Sequence, residues 1–134
     1  MNQKLNSIML IDDCEATNYY NQIIINRLDC ANSIVMAQGG EKALEYLKNT
    51  SSDGNSIPDL IFLDINMPGM NGWEFLEEYE KLSNIKQAKV VLLMLTTSLN
   101  PDDQDKASKL GNVKGFVNKP LETEKLQELL VAYF

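Results

Sequence analysis

The chain has 134 residues and a mass of 15.1 kDa, with 44% hydrophobic and 23% charged residues, the proportions of one globular domain rather than a disordered or fibrous chain. Nineteen acidic against twelve basic residues leave a net charge of −7, and a pI near 4.5 works against binding the phosphate backbone of nucleic acid. No apolar run approaches the roughly 20 residues that span a bilayer, no signal-like core follows Met1, and the absence of histidine removes the commonest general base and zinc ligand.

Apolar runs alternate with helical patterns along the chain. Ser7 to Ile11 reads as a short buried strand, and Glu15 to Leu28 as a helix with Ala16, Tyr20, Ile23, Ile24 and Leu28 on its apolar face. Ser33 to Ala37 is strand-like, and Gly40 to Lys48 places Ala43, Leu44 and Leu47 on one helical face. Thr50 to Ile57 is a polar loop. Leu60 to Leu63 is continuous and apolar, as expected of a central strand covered on both sides. Asn71 is placed to cap a helix with Glu74 reaching back, and Phe75, Leu76 and Tyr79 form its stripe. Val90 to Leu95 is the longest apolar run. Asn100-Pro101-Asp102-Asp103 starts a helix anchored mainly by Ala107 and Leu110, so it is expected to be weakly held. Val113 to Val117 is a fifth strand, and Leu126, Leu129, Leu130 and Tyr133 mark a last amphipathic helix. Five strand–helix units in strict alternation predict an α/β domain, a doubly wound parallel sheet with helices on both faces.

Ligands in an open α/β sheet sit beyond the carboxyl ends of the strands, where strand order reverses. The first strand is followed by Asp12 and Asp13, the third ends at Asp64, the fourth at Thr96-Thr97-Ser98 and the fifth at Asn118-Lys119-Pro120. If the order is 2-1-3-4-5, Asp12, Asp13 and Asp64 share one crevice, with Thr96 and Lys119 beside it. Taken singly, each has a plain alternative. Asp13 could cap the first helix, Asp64 could be a turn acid, Thr96 could serve strand propensity and Lys119 could be a solvated loop residue. Their fall on one sheet edge is what independent causes do not predict. Two carboxylates about 4 Å apart repel by roughly 4 kcal/mol at an effective dielectric near 20. Three in one crevice therefore share protons or hold a cation, and an all-oxygen set suits Mg²⁺ far better than Zn²⁺. Asp64 could then act as a carboxylate nucleophile toward phosphorus, with Lys119 and Thr96 binding phosphoryl oxygens.

Ile11-Asp12-Asp13, Leu63 to Gly72 (Leu-Asp-Ile-Asn-Met-Pro-Gly-Met-Asn-Gly), Leu95-Thr96-Thr97 and Phe116-Val117-Asn118-Lys119-Pro120 together make the chain resemble the receiver domain of bacterial two-component response regulators, from about Ser7 to the end. The resemblance implies a flavodoxin-like, CheY-like fold with order 2-1-3-4-5. It implies Asp64 as phosphoacceptor, Mg²⁺ held by Asp12, Asp13, Asp64 and the Asn66 carbonyl, and Thr96 and Lys119 in contact with the phosphoryl group. Thr96 and Phe116 fall at the family's switch positions, and the side chains flanking the attacking water would be Asn66 and Ser98. One departure stands out. Leu110 to Gly115 is a residue longer than the family's usual connection, so counting back from Lys119 would select Thr97. Assigning the extra residue to the loop keeps Thr96 at the strand end.

The reading is a single, stand-alone receiver over residues 1–134, a cytoplasmic signalling domain rather than an enzyme, with Cys14 and Cys30 reduced. It would take phosphate from a histidine kinase or histidine phosphotransfer protein and signal by contact with a downstream protein. It would bind neither nucleic acid nor membrane, and would be a monomer or a phosphorylation-dependent dimer. The alternative is a Mg²⁺-dependent small-molecule phosphohydrolase, against which stand the lack of an Asp-x-Asp pair after the first strand and of a cap insertion.

Overall fold

The computed structural model describes residues 4–49, 57–82, 90–97, 101–110 and 113–134. Among the described residues ten elements follow in alternation: β1 (Leu5–Ile11), α1 (Glu15–Leu28), β2 (Ala31–Ala37), α2 (Gly40–Asn49), β3 (Leu60–Asp64), α3 (Gly72–Tyr79), β4 (Val91–Thr96), α4 (Pro101–Leu110), β5 (Val113–Asn118) and α5 (Thr123–Tyr133). The strands form one parallel sheet in the order β2-β1-β3-β4-β5, as expected. Residues 50–56 of the polar loop, and Asn100 as a helix start, lie outside the described residues.

Alternate side chains of the central strands feed two cores. Met9, Ile11, Ile61, Leu63, Leu92 and Met94 pack against α2 and α3 through Leu44, Leu47, Phe75 and Leu76. Ile8, Leu10, Leu60, Phe62, Leu93, Leu95 and Val117 face α1 and α5, meeting Ile24, Ile25, Leu126 and Leu130. Burial on both sides explains why β3 and β4 read as unbroken apolar runs. The expected capping box of α3 is present: Glu74 N–H donates to Asn71 Oδ1 at 2.9 Å, and Asn71 N–H to Glu74 Oε1 at 3.0 Å. On α4, Ala107 is buried as expected; the Leu110 side chain lies outside the described residues.

The structure corrects two expectations and rules out the plain alternative for Asp13. The inward face of α1 is Asn18, Asn21, Ile24 and Ile25, while Tyr20 and Ile23 of the expected stripe face solvent. The reason is backbone satisfaction: the Asn18 amide donates to the carbonyls of Asp12 at 3.1 Å and Ala37 at 3.4 Å, at the ends of β1 and β2. A polar residue is therefore drawn inward and turns the helix. Asp13 is not the cap of α1; Cys14 occupies that position, with no side-chain capping bond. The extra residue before Phe116 sits inside β5 rather than in the preceding loop. Leu92 pairs with Val113 and Leu93 with Gly115, so Lys114 is bulged out, and the ladder then runs regularly through Met94↔Phe116 and Thr96↔Asn118.

The turned face of α1 has a measurable consequence. Ile24→Ala should lower the unfolding free energy by about 2–5 kcal/mol, the cost of a large cavity, and Ile23→Ala by less than half as much. Urea denaturation of both variants tests this, and equal losses would restore the expected stripe.

Candidate functional site

Strand register assembles the polar edge. Ile11 pairs with Ala37 on one side and Leu63 on the other, so Asp12 and Asp64 come next at the same level on neighbouring strands. Asp64 is opposite Leu95, and Thr96 opposite Asn118, which brings Lys119 to the same edge. One oxygen each from Asp12, Asp13 and Asp64 fall within 4.8 Å of one another. Lys119 Nζ lies 2.7 Å from Asp12 Oδ2 and 3.1 Å from Asp64 Oδ1. Asp12 is 3% exposed, Asp64 7% and Thr96 4%, whereas Asp13 is exposed.

Local backbone holds these groups in place. The Asp12 carboxylate accepts the Cys14 N–H at 3.0 Å, which turns the chain from β1 into α1. The Thr96 carbonyl accepts the Lys119 N–H at 2.7 Å. Gly69 makes the turn that follows Asp64 with a φ of 77°. Gly72 N–H donates to the Ile65 carbonyl at 2.8 Å, and a β-carbon on Gly72 would lie 2.8 Å from the Asp64 carbonyl oxygen. Only glycine lets α3 start this close to the acid.

Burial raises the Asp64 carboxyl above its ordinary value and the charge of Asp12 adds to this, against the opposing effects of Lys119 and the Asn66 N–H. For Lys119, burial pulls the ammonium down. The hydrogen bond to Asp12 and the charges of Asp64 and Asp12 outweigh it and hold the value above that of an ordinary lysine. Three carboxylates against one ammonium leave a formal surplus of two negative charges. All the acidic donors are oxygens, and the chain has no histidine, so the set fits a hard divalent cation.

Residues 8–131 match the family model described as the response regulator receiver domain. The chain belongs to that family. This receiver is 30% identical over 120 residues to the probable methanogenesis regulatory protein FilR2 of Methanothrix harundinacea, covering 90% of the chain and 76% of the relative. It is 25% identical over 124 residues to the two-component response regulator ORR1 of Oryza sativa subsp. japonica, covering 91% of the chain and only 52% of that protein. The fold is shared with a two-component response regulator from Cytophaga hutchinsonii at a TM-score of 0.89 and 33% identity, over 98% of both chains.

Asp12, Asp13, Asp64, Asn66, Thr96 and Lys119 fall at this edge of the receiver, and Phe116 lies on β5 two residues before the strand's end. Thr96 ends β4 buried and Thr97 is exposed. Asn66 is exposed beside Asp64, and half-buried Phe116 packs against the α2–α3 core. Ser98 lies outside the described residues. Sequence reasoning missed two supporting residues, Asn18 and Gly72. Gly72 stood in the quoted motif without a role, and its closeness to Asp64 depends on a turn that residue types alone do not show.

The raised Asp64 value carries a sign. Because folding favours the protonated acid, that contribution to stability is present below the unfolded-state value and lost as pH rises through the folded one. In EDTA, Asp64→Asn should therefore raise the urea midpoint near neutrality and remove this loss from the pH profile. A variant less stable than the parent at neutral pH would show that the Lys119 contact, and not the burial of charge, dominates.

Proposed function

We propose that this receiver accepts a phosphoryl group on Asp64 from a histidine kinase or histidine phosphotransfer protein and relays the signal by protein contact, residues 8–131 acting as one unit. The observation that supports it most directly is the buried Asp64 carboxylate with the Lys119 ammonium at 3.1 Å and the Asp12 and Asp13 carboxylates gathered beside it. The donor histidine must come from the partner, since this chain has none.

Asp12, Asp13 and Asp64, with the backbone carbonyl of Asn66, are the residues to hold Mg²⁺. When bound, the ion neutralises the surplus acid charge and the charge on the phosphoryl oxygens. An Asp64 carboxylate oxygen forms the new bond to phosphorus while the bond from phosphorus to the donor breaks, and the donor keeps that electron pair. Lys119, firmly protonated, donates to a phosphoryl oxygen without surrendering its proton. The Thr96 hydroxyl is the second donor. Its movement toward the acylphosphate, with Phe116 one strand away, is the step that turns phosphorylation into a change of surface. In this scheme the Asn66 side chain, which is exposed beside Asp64, orients the water that removes the phosphate.

Intact-mass measurement with acetyl phosphate and Mg²⁺ should show one added phosphate, absent with EDTA and absent in Asp64→Asn. Lys119→Met should slow labelling by about a hundredfold, the scale of losing one preorganised donor. Labelling of Asp64→Asn equal to that of the parent would refute the assignment.

A further inference from the structure

The bulge in β5 decides which side of the sheet its residues face. Counting on from Leu92↔Val113 without it would set Met94 opposite Gly115 and Thr96 opposite Val117. Side chains alternate along a strand, so a slip of one residue sends each to the opposite face. Phe116 would leave the α2–α3 core for the α1–α5 side, and Val117 would do the reverse. Lys119 would move about 3.3 Å along the strand direction, farther than its 2.7 Å and 3.1 Å contacts to Asp12 and Asp64 tolerate. The register that completes the acidic site therefore depends on Lys114 staying out of the ladder at the far end of the strand.

That residue has a dedicated partner. Tyr133, the last residue of α5, donates its hydroxyl to the Lys114 carbonyl at 3.0 Å. A β-carbon on Gly115 would lie 3.2 Å from the Tyr133 oxygen and 3.6 Å from Leu93 Cδ2, so the glycine leaves room for the hydroxyl to reach the bulge. A bulged residue drops out of the ladder, and a donor from outside the sheet compensates for this. Bulges are rare between parallel strands, which makes an added tether here more telling.

We infer that Tyr133 is a positioning residue for the phosphoryl site: by holding the Lys114 bulge it fixes the β5 register that delivers Lys119 to Asp64 and Phe116 to its face. The catalytic consequence rests on Asp64 being the phosphoacceptor, but the effect on register does not. Removing Lys114 would heal the ladder and keep Leu93↔Gly115 and everything beyond it, so the tyrosine should then become dispensable.

The test uses the full chain as parent, Tyr133→Phe, a deletion of Lys114, and both changes together. Amide exchange followed by NMR in EDTA reads residues 115–119 against β1 and β3 amides, and acetyl phosphate labelling with Mg²⁺ reads the site. Tyr133→Phe should reduce protection selectively at 115–119 and slow labelling, each by about threefold to tenfold, the range one net hydrogen bond allows. In the deletion background the same substitution should change neither. Unchanged exchange in Tyr133→Phe, or an equal loss with and without Lys114, would overturn the inference. Should the shortened strand fail to fold, selective loss in Tyr133→Phe alone supports the inference and uniform loss overturns it. If the parent takes no phosphate while exchange behaves as expected, the Asp64 assignment fails and the role of Tyr133 in the register stands.

Discussion

One ammonium group stands between two buried carboxylates, and the polar edge of the sheet is arranged around it. Without Lys119, Asp12 and Asp64 would face each other inside the protein with no compensating charge, a situation proteins avoid by shifting protonation or unfolding. Lys119 lies within 2.7 Å of one acid and 3.1 Å of the other, yet three acids still outnumber it. The balance is deliberately incomplete in a physical sense: enough positive charge to keep the fold, too little to satisfy the site. A cation and a phosphoryl group together can complete what the lysine leaves open.

The sheet delivers these groups through spacing alone. β1 and β3 pair in register as far as Ile11↔Leu63, so the next residue along each of them is an acid, Asp12 and Asp64. Support comes from groups with no charge to contribute. Asn18 satisfies the carbonyls of Asp12 and Ala37 from the α1 side, and Gly72 brings the start of α3 against the backbone of Asp64. The two strand ends are thus held through their backbone, so the placing of the acids does not rest on their carboxylates alone.

Much of this was legible in the residues. The unbroken runs of β3 and β4, the Asn71–Glu74 cap and the strand-end acids are local patterns whose physical causes lie within a few positions. The misreadings have a common origin in long-range satisfaction of the backbone. Counting apolar residues on α1 assumes that the inward face is hydrophobic, whereas Asn18 turns inward to serve carbonyls of two strands. An extra residue has the same length whether it lies in a loop or in a strand. What puts it in β5 is contact with β4 on one side and with a hydroxyl nineteen residues away on the other. No short window of sequence contains both.

Trp73 is the only tryptophan in the chain, and it follows directly on Gly72. Its half-buried ring lies beneath the Lys106 ammonium of α4, 4.8 Å from nitrogen to ring centroid. The protein's indole emission therefore arises from one place, between the turn that carries Asp64 and the helix beyond Thr96. A change in the colour or quenching of that light reports on this junction alone, so the chain carries a built-in optical gauge that needs no label.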